Sequence, residues 1–118
     1  CGKIKIFKGS NNFLRDFIFV DDIVSINKHF ISNRKTSGIF NCGTGVAEAF
    51  SAIPEIMSEY CSFDVTEIEM PKHLVDKYQK FTRADTDKLV LEAGYDKPFH
   101  SLHGGIKKYF DFWNSKKQ

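Results

Sequence analysis

The sequence predicts an α/β fold in which a small sheet is covered by helices. Three observations carry that prediction. Runs with strand patterning alternate along the chain with runs whose apolar residues recur at helical spacing. Clusters of Gly, Pro, Asn and Asp separate them. The length, 118 residues with 42% hydrophobic and 27% charged, is that of one soluble domain with a modest single core.

The elements follow in order. Lys3 to Phe7 alternates basic and apolar residues, the mark of a half-buried strand. Gly9-Ser10-Asn11-Asn12 reads as a turn, and Phe17 to Val20 as a short buried strand. Asp21 and Asp22 are placed to cap a helix carrying Ile23, Ile26, Phe30 and Ile31 on one face, ending near Asn33. Gly38 to Asn41 reads as another strand. Ser51 caps the next helix, with Pro54 in its first turn and Ile53, Ile56, Met57 and Tyr60 on its face. Val65 to Met70 alternates again as a strand, whereas Lys72 to Arg83 has no regular pattern. Asp85 opens a short helix through Leu89 and Leu91, stopped by Gly94. Ser101 caps a last helix with Leu102, Ile106, Tyr109, Phe110 and Trp113 on one face, and Lys116 to Gln118 is a frayed polar end. No linker divides the chain, so residues 1–118 are taken as one domain.

Composition excludes several classes. The apolar and charged fractions argue against disorder. No apolar run is long enough for a membrane span or a signal peptide, so no membrane role is expected. A net charge of +2 without a basic cluster argues against nucleic acid as a partner. Cys1, Cys42 and Cys61 are odd in number and widely spaced, so a disulfide is not expected and a reducing, cytoplasmic setting is. His100 and His103 have no companion ligands, so no metal site is expected either.

Gly43-Thr44-Gly45 sits where a dinucleotide loop would. The third small residue that such a loop needs is Glu48, whose carboxylate would repel a pyrophosphate. The turn is therefore read as a plain connection. Cys42 is read as structural and not as a nucleophile. No nucleophile elbow is present.

A more specific combination remains. Phe7-Lys8-Gly9-Ser10 is followed by Arg15-Asp16-Phe17-Ile18-Phe19-Val20-Asp21-Asp22, and then by Asn41-Cys42-Gly43-Thr44-Gly45. Tyr78 to Asp85 and Ala93 to Phe99 come after. In this order the motifs resemble the C-terminal part of the nucleotide-diphosphosugar epimerases of the extended short-chain dehydrogenase/reductase superfamily. Within them, the FxGS motif with Arg15, the Tyr-Gln-x-Phe-Thr run and the Gly-Tyr-Asp-Lys-Pro-Phe run resemble the ADP-heptose 6-epimerases. The resemblance covers about Lys5 to Trp113.

It implies a Rossmann-type epimerase of which this chain is the substrate-binding C-terminal portion. Phe7, Lys8, Gly9, Ser10, Arg15 and Tyr78 would line the site for ADP-heptose, a nucleotide sugar. The intact enzyme would use NADP, interconvert the C6 epimers of the heptose for lipopolysaccharide synthesis, and be a homo-oligomer. The glycine-rich cofactor loop and the Tyr-x-x-x-Lys catalytic pair of the family do not occur here, since Thr82 stands where Tyr78 would need its lysine. The N-terminal Rossmann domain is thus expected to precede Cys1, and the chain to be inactive alone. Another departure is Ala49, where relatives often carry a serine.

The residue chemistry agrees. Gly9 permits close backbone approach, and Lys8 is expected to act through its backbone. A guanidinium at Arg15 suits bidentate contact with diphosphate oxygens. Tyr78 can stack on a ligand or hydrogen-bond to it. The plain alternatives are a surface pairing of Arg15 with Asp16 or Asp21, an ordinary loop tyrosine and an ordinary turn. Another sugar-nucleotide epimerase or dehydratase, or a non-catalytic interaction module, are the competing functions.

Overall fold

Lys3-Ile4-Lys5-Ile6-Phe7 folds as its alternation requires. Strand β1 (Gly2–Phe7) exposes both lysines and half-buries Ile4, Ile6 and Phe7. The computed structural model describes residues 1–117; of the frayed end, Gln118 lies outside them. The partner of β1 is a late strand, β4 (Phe63–Ile68), paired in parallel from Gly2 opposite Phe63 to Phe7 opposite Ile68. Parallel neighbours need a long crossover. This one holds helices α1 (Val20–Ser32) and α2 (Ala52–Ser58) and a second, antiparallel sheet. That sheet is the two-residue pair β2 (Leu14–Arg15) and β3 (Glu48–Ala49), with Arg15 opposite Glu48. Helices α3 (Lys72–Val75), α4 (Asp87–Leu91) and α5 (Leu102–Ser115) follow β4.

Two expected strands are not formed. Phe17 to Phe19 forms no strand among the described residues, with Val20 already in α1, and the segment 38–41 is a loop. Both apolar runs pack without a ladder. Phe17 meets the edge of Phe50 at 5.2 Å, and Phe40 lies 5.0 Å from Phe30. Phe19 presses on α5 where Gly105 leaves room, since a Cβ there would sit 3.2 Å from that of Phe19. A short continuous apolar run does not declare whether it packs by pairing or by side chains alone.

The caps divide in the same way. Ser101 caps α5, its hydroxyl accepting from the Gly104 amide at 3.0 Å, and Gly94 turns the chain at φ 65° after α4. Asp85 accepts the Asp87 amide at 3.1 Å at the entry to α4. Ser51 stands at the N-cap of α2 without a side-chain cap bond. Asp22 is not a cap. Helix α1 begins earlier, at Val20, so Asp22 lies inside its first turn and is buried. Its carboxylate accepts from the backbone amide of His100 at 2.9 Å and meets His100 Nδ1 at 2.7 Å.

The buried core is small: Ile26 of α1, Leu89 of α4, Ala93 and Tyr95, with Ile18, Phe30, Phe40 and Phe99 packed around them. The chain is a slab of 48 × 45 × 18 Å. Its radius of gyration is 17.0 Å, against about 13.5 Å for a compact chain of this length.

Cys1 and Cys61 form a disulfide, contrary to the expectation from their spacing. The β1–β4 register explains it. Gly2 pairs with Phe63, so the residues just ahead of both strands are neighbours, with Cα atoms 5.9 Å apart. Cys42 is free and exposed, not buried structural material. Among the described residues no helix is long and apolar enough to cross a membrane.

Candidate functional site

At the end of β1 the chain turns on Gly9, whose φ of 77° is a left-handed conformation that glycine adopts without strain. A single 3-10 turn follows at Ser10–Asn12 and leads into Phe13 and β2. This delivers Phe7, Phe13 and Arg15 to one place, and the segment after α3 brings Tyr78 to the same place. The Leu14 amide donates to the Lys80 carbonyl at 2.8 Å and the Thr82 amide to the Leu14 carbonyl at 3.1 Å, so residues 80–82 run alongside β2.

The result is an aromatic slot around a guanidinium. Arg15 Cζ lies 5.1 Å from the Tyr78 ring centre and 5.8 Å from that of Phe50. Phe13 packs on Tyr78 at 4.9 Å and Phe7 meets it edge-on at 6.1 Å. Cation–π contacts of this kind contribute about 0.5–1 kcal/mol each at exposed sites. Two guanidinium nitrogens donate to backbone, one to the Leu14 carbonyl at 2.8 Å and the other to the Gln79 carbonyl. Among the described residues Arg15 has no carboxylate partner; Asp16 and Asp21 do not pair with it, and Glu48 opposite makes no ion pair. A half-buried cation oriented by carbonyls, with no anion of its own, is equipped to take one from a ligand.

Of the six sequence-predicted residues, Phe7, Arg15 and Tyr78 converge and Gly9 makes the turn that lets them. Lys8 points elsewhere. Its amide continues the strand ladder to the Ile68 carbonyl at 2.9 Å, and its ammonium pairs with Glu69. The hydrogen bond and charge of Glu69 raise the pKa of that ammonium. Ser10 is buried, and lines a cleft of about 370 Å³ with Ile6, Pro54 and Glu67 that neither Arg15 nor Tyr78 reaches.

Sequence reasoning missed Phe13, Phe50 and Asp16. The two phenylalanines flank the short strands that meet at Arg15, and only the β2–β3 register reveals that. Asp16 stood inside the quoted motif, but its role depends on a turn far along the chain. Its Oδ1 accepts the Thr44 amide at 2.8 Å and the Thr44 hydroxyl at 2.6 Å. Its Oδ2 accepts the amides of Gly45 at 2.8 Å and Ala84 at 3.2 Å. Partial burial opposes the charge of this carboxylate. The Thr44 hydroxyl and the three amides outweigh it, and the pKa lies below the ordinary aspartate value.

These contacts also decide the glycine turn. The amides that a phosphate would need are donating to Asp16, so Gly43-Thr44-Gly45 does not fit a dinucleotide pyrophosphate. Among the described residues no three His, Cys, Asp or Glu side chains gather as a metal site. A cleft of about 460 Å³ lies among Phe17, Phe19, Met57, Leu102, Ile106 and Phe110. No charged side chain lines it, and it is uncovered apolar surface, away from the Arg15 slot.

The α/β fold is that of a portion of several larger solved proteins. The chain superposes on an NAD-dependent NDP-hexosamine 5,6-dehydratase of tunicamycin biosynthesis with TM-score 0.73 at 19% identity, covering 96% of this chain and 36% of that one. It superposes equally on RMD from Pseudomonas aeruginosa, solved with NADPH, with TM-score 0.73 at 16% identity over 97% and 36%. For the UDP-N-acetylglucosamine 4-epimerase of Methanobrevibacter ruminantium M1, in complex with UDP-N-acetylmuramic acid, the TM-score is 0.77 at 19% identity over 97% and 35%.

In sequence the chain is similar to one relative at much higher identity. The chain is 54% identical over 108 residues to the ADP-L-glycero-D-manno-heptose-6-epimerase of Brachyspira hyodysenteriae (strain ATCC 49526 / WA1). The match takes in 91% of this chain and 34% of that protein, so the chain spans about a third of its relative's length. The resemblance read from the motifs to the ADP-heptose 6-epimerases therefore stands. No protein-family model matches the chain.

Proposed function

We propose that this chain, residues 1–118, is the C-terminal, nucleotide-sugar-binding portion of an ADP-heptose 6-epimerase. The observation that carries the reading is the guanidinium of Arg15, held between Tyr78 and Phe50 without a carboxylate partner among the described residues. In this reading Arg15 takes the diphosphate, and Tyr78 and Phe7 pack against the rest of the ligand. Gly9 keeps the loop close, while Lys8 and Ser10 support it through backbone and packing.

NADP, bound by the Rossmann portion of the enzyme, would supply the oxidation and re-reduction at C6 of the heptose. The residues present here bind and orient, which is their share of the catalysis. The chain alone is inactive, and the whole protein is a homo-oligomer serving lipopolysaccharide synthesis in the cytoplasm. The Cys1–Cys61 bridge removes the cysteine argument for that compartment, which now rests on the substrate class.

Calorimetry of this chain with ADP-heptose tests the reading. Binding is expected, weakened at least about tenfold in Arg15→Ala, the scale of one charge-assisted hydrogen bond. Unchanged affinity in that variant removes Arg15 from the site. A clear preference for a UDP-sugar over ADP-heptose overturns the heptose assignment.

A further inference from the structure

We infer that Asp16 is a positioning residue for the Arg15 slot: it ties the 43–45 turn and the segment carrying Tyr78 to β2, and so fixes where the guanidinium points. The effect on affinity rests on the function proposed above; the effect on geometry does not.

Three stretches distant in sequence meet at one carboxylate. Asp16 follows Arg15 directly, Thr44 and Gly45 come from the turn before β3, and Ala84 ends the segment that begins near Tyr78. Their approach is close. A Cβ on Gly43 would lie 2.5 Å from the Ala84 Cβ and 2.7 Å from Asp16 Oδ2, so this turn position admits glycine alone without displacement. Between Tyr78 and Ala84 the segment is held by the Leu14 bridge, by Asp16 and by Arg15 itself, which donates to the Gln79 carbonyl. The orientation of Arg15 therefore depends on where that carbonyl sits, and Asp16 holds the far end of the same segment.

A carboxylate is needed for this. Both oxygens accept two hydrogen bonds, and every partner is a donor. An asparagine has one acceptor oxygen; its NH2 group faces two amide donors in place of Oδ2, or the Thr44 amide beside a hydroxyl that can turn to accept in place of Oδ1. Asp16→Asn keeps the shape and sets its NH2 group against at least one backbone amide in either orientation.

The test uses NMR of this chain together with calorimetry. In the wild type, ring currents of Tyr78 and Phe50 should displace the Arg15 side-chain resonances. In Asp16→Asn these should move toward unstructured values, while the β1–β4 amides and the Tyr95 ring stay in place. Thr44→Val removes the hydroxyl bond to Asp16 together with the bond that this hydroxyl accepts from the Val46 amide, but keeps all three amide bonds to the carboxylate. It should give a smaller shift in the same direction, and it decides the matter if Asp16→Asn does not fold. ADP-heptose affinity should fall about tenfold in Asp16→Asn but less than about twofold further when the change is made in an Arg15→Ala background. Unmoved Arg15 resonances in a folded variant, or losses that multiply independently, overturn the inference. If the wild type does not bind ADP-heptose, the proposed function falls and the resonances still decide the positioning role.

Discussion

Helices α1 and α5 carry the same kind of apolar stripe, yet one side of the slab closes and the other stays open. Between α1 and α4 the stripe of α1 meets Leu89, Ala93 and Tyr95, and Ile26 and Leu89 are buried to 3% and 0% exposure. Between α2 and α5 the stripe lines the open apolar cleft, and Tyr109, Phe112 and Trp113 are about half exposed at 55%, 57% and 49%. The helix pattern is equally good on both sides. What differs is whether this chain supplies the covering surface, and the thin slab and the two-stranded parallel sheet say the same.

The largest effect expected of any single change tests that contrast. Leu89→Ala removes a fully buried side chain and should lower stability by about 3 kcal/mol in urea unfolding, as core truncations do. Ile106→Ala, on the open side, should cost about 1 kcal/mol or less, because its surroundings already admit solvent. Equal losses at the two positions would mean that the open side is as much a core as the closed one.

How far the sequence carried the structure follows from which interactions are local. Strand β1, the end of α1 at Asn33, the Ser101 cap, Gly94 and Pro54 in the first turn of α2 were all legible, because each depends on neighbours within one turn or on period-two alternation. Strand β4, expected over Val65 to Met70, lies two residues earlier at Phe63–Ile68, with Asp64 to Glu67 all exposed instead of alternating. The displaced strands at 17–20 and 38–41 were not, since apolar runs of that length pack equally well with or without a ladder. The disulfide was hidden by a separation of 60 residues that only the parallel register closes. Of the residues that the resemblance named, Phe7, Arg15 and Tyr78 come together in the structure and Gly9 makes the turn between them. Asp16, Phe13 and Phe50 required knowing that the 43–45 turn, β3 and residues 80–84 all return to β2. Lys8 and Ser10 show the converse: adjacency in a motif does not bring neighbouring side chains to the same pocket.

The seam between the closed and open sides gives a sharper test. Asp22, in the first turn of α1, holds His100, just ahead of α5, by two hydrogen bonds to its buried carboxylate. Asp22→Ala leaves the His100 amide without its acceptor and should cost about 2 kcal/mol. If the seam organises α5, the variant should also increase hydrogen exchange along α5 while leaving the amides of α4 protected. Exchange that rises equally in both helices would show one cooperative unit in place of two differently closed regions.

The smallest expected effect is the pH dependence of Asp16, and it separates the site from both sides of the slab. In the folded chain this carboxyl titrates below its ordinary range, because the Thr44 hydroxyl and three amides outweigh the cost of its partial burial. As the pH falls, the unfolded chain therefore takes up the proton first, and stability drops. The contribution is complete above the ordinary aspartate pKa of about 3.9 and is lost as the pH falls through the lowered folded value. Asp16→Asn carries no such proton. The stability gap between wild type and Asp16→Asn should thus narrow from about pH 6 to about pH 3, whereas the gap for Leu89→Ala, which involves no charge, should stay constant over that span. Urea midpoints measured at both pH values check it. A gap that does not narrow for Asp16→Asn would mean that the amides of Thr44, Gly45 and Ala84 do not favour the charged form, and the carboxylate would then be an acceptor of ordinary strength at the centre of the slot's support.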